Sequence, residues 1–298
     1  MSESTPRKKK SLLSRILKWS GITLVLLLIT IIALPFLFKG KIIELAKEEM
    51  NNNLNATVTF GEFDLSLISS FPDFRFSIKD LKVVGKDKFA GDTLASIPSL
   101  QLDIDLMSVI KGDQYNVNSI ILDKARIFAV VLPDGSASWD IAKASVDTAA
   151  AAPVSSEPTK FKMSLKNLEI NNAYVVYDDA TLGVKTILDN FTHSLSGDFT
   201  QDLFGMETMT TIERFTCEYE GMSYLNEVKT SVKADFDVDM INWKFTFKEN
   251  EISLNELAFG LNGFFAMPGS DYNMDMTFKA KQSEFKSFLS LIPGAYTT

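Results

Sequence analysis

The chain has 298 residues, 46% of them hydrophobic, with a formal net charge of −8. That hydrophobic fraction supports a large core in one or two domains and excludes a chain disordered throughout. Six basic side chains and one acid stand in the first 20 residues, leaving 24 basic and 37 acidic groups, a net −13, on the remaining 278; so acidic a body repels phosphate backbones, which excludes nucleic acid as a partner.

The basic segment 1–18 precedes 20 uncharged residues, Trp19 to Phe38. A helix of that length covers roughly 30 Å, the hydrocarbon thickness of a bilayer. The run is longer than the apolar region of a cleavable signal and ends in Phe36, Leu37, Phe38 and Lys39 rather than in small residues. It therefore reads as an uncleaved transmembrane helix over 19–38. The basic flank predicts a cytoplasmic N-terminus, with everything after Lys39 on the far side of the membrane, the periplasm in a bacterium.

Residues 39–55 place Ile42, Ile43, Ala46, Met50 and Leu54 at three- and four-residue spacing, which predicts an amphipathic connector helix. From Thr57 the period changes to two. Val58 and Phe60, then Phe74, Phe76 and Ile78, then Leu100, Leu102, Ile104 and Leu106 alternate with polar residues. The segment "SVKADFDVDM" sets Val232, Ala234, Phe236, Val238 and Met240 against Lys233 and three aspartates. This pattern predicts half-buried antiparallel sheet in two regions, 56–142 and 161–298, with turns at "VVGKDK", "IKGDQ", "PDGSAS" and "AMPGSD". Between them, 143–160 is small, polar and proline-containing and reads as a linker or surface loop. A short helix is expected near 283–292, with Ser283 as N-cap and Phe285, Phe288, Leu289 and Ile292 on one face. The abrupt end at Thr298 reads as a fragment of a longer protein.

Chemistry is hard to find in this sequence. Asp235, Asp237 and Asp239 have calcium-loop spacing, but Met240 and Thr246 stand where that loop needs Gly and Glu. Asp103 and Asp105 are read as the wet side of a strand. His193, the only histidine, is read as a surface or turn residue, and Cys217, the only cysteine, as a strand residue between Phe215 and Tyr219. One cysteine allows no internal disulfide. Asn55 and Asn190 begin glycosylation triplets of a kind that is common by chance. No catalytic, cofactor or metal site is expected, and the chain is read as a non-enzyme.

The apolar face must be covered. Two coverings fit the alternation: a closed sandwich or barrel, or a curled trough lined by lipid chains. Leu102, Ile104, Leu106, Phe236 and Val238 are the candidate lipid-facing residues in the second case.

Residues from the anchor to Ile141 carry an ordered set of features. They are "IIELAKEEMNNNLNATVTFGEFDLSLISSFPDFRFSIKDLKVVG", then Val109, Ile110 and Gly112 after a strand, then Asp134, Gly135, Trp139 and Asp140. In this order the chain resembles the N-terminal part of the AsmA-like proteins, relatives of TamB and of the bridge-like lipid transfer proteins. That family often has Asn before the Trp, where this chain has Ser138. Trp139 itself is read as core packing after a turn. The resemblance implies a mainly β fold: an N-terminal transmembrane helix followed by a curled antiparallel groove with a few short helices. It implies anchorage in the inner membrane of a two-membrane envelope and a periplasmic groove that shields phospholipid chains on their way to the outer membrane. Ten to twelve strands would make a trough of roughly 50 Å, expected to fall short of the outer membrane, so an outer- or inner-membrane protein partner is expected too. The competing expectation is a scaffold or assembly factor for outer-membrane proteins, with a closed β core.

Overall fold

A computed structural model describes residues 39–66, 73–111, 116–143, 165–199, 201–269 and 271–281, with positions 287 and 291. The expected transmembrane helix and the linker over 144–160 lie outside the described residues, as does most of the helix near 283–292. Among the described residues no helix is long and apolar enough to cross a membrane. The chain divides into two compact units, Met1–Ala46 and Lys47–Thr298. Of the first, the described part is the start of helix α1 (Lys39–Asn53).

The second unit is mainly β, a large curled mixed sheet with few helices. Its 13 strands are β1 (Ala56–Thr59), β2 (Phe63–Ser66), β3 (Asp73–Gly85), β4 (Thr93–Asp105), β5 (Val117–Asp123), β6 (Arg126–Val131), β7 (Asn167–Asp179), β8 (Val184–Gly197), β9 (Leu203–Tyr219), β10 (Met222–Asp239), β11 (Lys244–Leu254), β12 (Leu257–Ala266) and β13 (Asn273–Ala280). A six-residue helix α2 (Leu106–Lys111) follows β4. Strands before and after the 144–164 segment belong to the same sheet, in the path β1-β3-β4-β5-β7 and then on in sequence order to β13.

The antiparallel expectation needs one correction. β5 and β6 both pair with β7 in parallel, while every other neighbour is antiparallel. The reason is topological. β5 and β6 form one broken strand position, with β4 on one side and β7 on the other. The chain between Val131 and Asn167 is long enough to return to the starting end of the sheet, and a strand that begins at the same end runs parallel.

Breaks recur on almost every strand. Asp80 (φ 54°), Lys124 (φ 53°), Asn172 (φ 52°), Asn190 (φ 54°) and Glu227 (φ 51°) are in the left-handed region. Each drops out of the residue-by-residue pairing of its strand. The register places the first four next to one another, with Glu213 on β9 opposite Asn190, so they form one crease running from β3 to β9; Glu227 stands further along, opposite Thr216. A left-handed residue that drops out of the pairing interrupts the ladder and lets its strand bend and twist; a row of such breaks bends the sheet along a line, which is how curl is built into a large sheet. Apolar side chains close over the crease on one face. Ile97, Ala125 and Ala173 are buried there, packed by Leu81, Leu100, Leu122, Ile170 and Phe191 among others.

The β1 edge is capped by α1. Asn51 accepts the Val58 N–H at its Oδ1 (2.9 Å) and donates from Nδ2 to the Val58 carbonyl (3.1 Å), in place of a neighbouring strand. Lys47 donates to the Phe60 carbonyl (3.2 Å) and stands over the Phe60 ring. Edges left unpaired invite association, and these side chains cover this one.

Candidate functional site

Residues directly opposite one another on paired strands share a face. One row can be followed through ten strands on that basis: Ile78, Leu100, Leu122, Ile170, His193, Thr210, Val232, Ile252, Phe259 and Ala280. Eight of its ten members are apolar. None is buried: nine are half-buried and Ala280 is exposed. A sheet face pressed against a second layer would bury such a row. Here it stays partly open to solvent, over about 45 Å at ordinary strand spacing.

The candidate lipid-facing residues divide. Leu102 and Ile104 alternate with Leu100, and Phe236 and Val238 alternate with Val232, so these four share the face. They are five strand positions apart, roughly 24 Å, and form one surface rather than one pocket. Phe236 is half-buried and its ring meets Phe247 edge-on at 5.0 Å, whereas Val238 is only 3% exposed. Leu106 is not part of the strand. It opens α2, because Asp105 accepts the Ser108 N–H (2.7 Å) and caps a helix there. Met240, expected on the same face, lies beyond the end of β10 and is 37% exposed.

Asp103, Asp237 and Asp239 have structural partners. Asp103 takes both ends of the Arg75 guanidinium at 2.7 Å across β3 and β4, a bidentate pair. Asp239 accepts Asn242 Nδ2 and the N–H groups of Asn242 and Ile241. The Asn242 side chain, then these backbone bonds, hold its carboxyl below the usual range. Asp237 pairs with Lys248 (2.6 Å). Among the described residues no group of three or more His, Cys, Asp or Glu stands together as metal ligands would.

Two readings of single residues are corrected. His193 is not a turn residue, and the surface it belongs to is the apolar face of the sheet. It lies within β8 on the apolar face, stacked on Phe191 (5.9 Å, 14°), with Nδ1 2.8 Å from the Thr210 hydroxyl. Burial lowers its pKa. Trp139 is not core. It is 53% exposed and stacks on Tyr177 (6.1 Å), while its neighbour Ser138 is the buried residue, its hydroxyl accepting the Val130 N–H (2.9 Å). Small and able to hydrogen-bond, serine fits the position beside a strand backbone that an indole cannot enter. Cys217 is a strand residue of β9, as read.

The crease itself went unread, although it leaves a signal. Where strict alternation predicts a spacing of two, apolar residues stand three apart: Ile78 and Leu81, Ile97 and Leu100, Leu122 and Ala125, Ile170 and Ala173, Leu188 and Phe191, Ile212 and Phe215. Each triplet spans a residue that drops out of the strand pairing: Asp80, Pro98, Lys124, Asn172, Asn190 and Glu213. On the opposite face, a cleft of about 590 Å³ follows the crease, with Lys124, Arg126, Tyr174, Asp189 and Arg214 in its lining. Arg214 and Asp189 are ion-paired there, and Arg126 lies 4.7 Å from the Tyr174 ring centre.

Compared with known proteins, residues 11–263 match the model of the AsmA family. No curated protein and no solved structure shows a significant match.

Proposed function

Since the chain belongs to the AsmA family, we propose that it is an inner-membrane-anchored, non-enzymatic protein whose periplasmic sheet shields phospholipid acyl chains for transfer toward the outer membrane. Family membership and a large β sheet fit an envelope-related, lipid-transport role. One observation carries the lipid reading: the largely apolar row from Ile78 to Ala280 has no buried member in any of its ten strands. Acyl chains are the ligand such a surface suits. Moving a chain into water costs about 0.8 kcal/mol per CH₂, on the order of 13 kcal/mol for sixteen carbons, and a continuous apolar face offsets most of that. Because apolar contact is non-directional, the face would accept many chain types and guide them without covalent chemistry. The orientation follows from the basic residues before Trp19, and the phospholipid, a membrane and a receiving membrane protein are the proposed partners.

The test is native mass spectrometry with lipid extraction on the full chain, released gently from detergent. Phospholipid should co-purify and exchange with added lipid, and a photo-crosslinker at Ile104 or Phe236 should label it. A folded protein that carries no lipid and labels none would instead favour a scaffold with a closed apolar face.

A further inference from the structure

We propose that His193 and Thr210 form a hydrogen-bond-donating seat in the apolar face for the ester carbonyl of an acyl lipid, an inference that rests on the lipid-binding reading above. The row containing them is apolar on both sides: Ile170 precedes His193 on β7, and Val232 and Ile252 follow Thr210 on β10 and β11. His193 and Thr210 are the only polar members of that row, and they are adjacent, bonded Nδ1 to Oγ1 at 2.8 Å.

Counting hydrogens shows what this pair leaves over. A neutral imidazole carries one N–H and a threonine hydroxyl one O–H. The bond between them uses one of the two. Whichever tautomer is present, a single donor remains, on Nε2 or on the hydroxyl. Among the described residues neither Nε2 nor the hydroxyl has another hydrogen-bond partner. Burial lowers the pKa of the ring, which keeps it neutral and the count valid at ordinary pH. The ring is also fixed in place, held at one edge by Thr210 and stacked on Phe191.

A half-exposed donor set in hydrocarbon-like surroundings selects a ligand with an acceptor, no competing donor, and apolar groups on either side. An acyl ester is such a group: a carbonyl oxygen that accepts only, attached to the chain that the apolar row would hold. The seat would set the lipid's position along the sheet, so that chains occupy a defined register rather than sliding freely.

The experiment offers the full chain, held in a fluorinated surfactant, an equal mixture of diacyl phosphatidylethanolamine and its diether analogue with the same chains. The two lipids share headgroup and phosphate and differ in the ester carbonyls, so a phosphate contact cancels. Bound lipids are separated by mass. The native chain should hold the ester lipid in about three- to tenfold excess, as one net hydrogen bond provides. His193→Phe combined with Thr210→Val, which removes both hydrogens and preserves the stacking on Phe191, and His193→Leu combined with Thr210→Val should bind both lipids equally, while His193→Gln combined with Thr210→Val, which restores a donor, should recover part of the excess. Lipids held elsewhere on the protein do not see residue 193 and drop out of the comparison. Equal binding by the native chain, or an undiminished excess in both apolar double variants, overturns the seat while leaving the lipid-binding face intact. Binding of neither lipid by the native chain defeats the lipid reading and the seat with it.

Discussion

His193 shows how a side chain's setting changes what it can do. Burial on the apolar face disfavours its charged form, so its pKa lies below the ordinary 6.5 in the folded chain. The sign follows from linkage. Above the unfolded pKa both states are neutral and the fold has its full stability. As pH falls from about 6.5 toward the lowered folded pKa, the unfolded chain takes up the proton first and stability is lost; below the folded pKa the loss is constant. Urea midpoints at pH 7.5 and pH 5.5 should therefore differ more for the native chain than for His193→Phe. Parallel shifts in the two proteins would mean that the ring titrates as if exposed. The aspartates behave in the opposite sense. Asp134, held low by Lys88 and by Ser136, and Asp179, held low by Thr181 and Tyr177, support the fold above the ordinary carboxylate range and release it as pH falls through their lowered values. They brace turns, as Asp105 braces α2, and their chemistry is that of hydrogen-bond acceptors.

Strands here are fixed at their ends and at their closest approaches. Gly263 in β12 has φ 128°, and a Cβ at that position would run into the Asp275 carbonyl on β13. Only glycine lets the two backbones come so near. Gly263→Ala should cost more than about 1 kcal/mol, and the loss should be local. Amide exchange in Asn273–Ala280 should quicken while β7 to β9 keep their protection; uniform loss across the sheet would show that β13 does not come away on its own. The other edge is secured differently, by the Asn51 amide bonding both backbone groups of Val58. One edge thus depends on a missing side chain and the other on a side chain that imitates a strand.

At the scale of the whole sheet, the crease decides where the apolar face is packed and where it is left open. Ala125 and Ala173 are fully buried at the crease, with 0% exposure, while the row from Ile78 to Ala280 beside it is half-exposed. Bending brings side chains together on the inside of the bend, and alanine is what fits there. Ala125→Leu should overpack this region and cost about 1–3 kcal/mol. Ala129→Leu, at a half-buried position two pairs further along β6, should cost less than about 0.5 kcal/mol. Equal costs in urea titration would mean that the crease is no tighter than the rest of the face. A bend also bears on the proposed function, because it turns a flat apolar surface into one that can wrap an acyl chain.

Much of this was legible in the sequence. Period-two alternation gave the strands, since side chains of an extended chain point alternately to two faces, and it placed Leu102, Ile104, Phe236 and Val238 on one side. The turn residues of "PDGSAS" were legible for the same local reason, with Gly135 at φ 81°. The ordered features from Ile42 to Asp140 indicated the family. Tertiary structure alone decided what depends on neighbours distant in sequence. The parallel pairing of β5 and β6 with β7 depends on where a long connection returns. Leu106 left its strand because a carboxylate capped a helix, and Ser138 rather than Trp139 went inside because only a small side chain fits beside Val130. His193 looked like a turn residue in "DNFTHSLSGDF" and became part of the apolar face once Ile170 and Thr210 were set on either side of it. Alternation says which residues share a face, because that is a property of one strand. Whether the face is covered, bent or open is a property of the whole sheet, and no single segment encodes it.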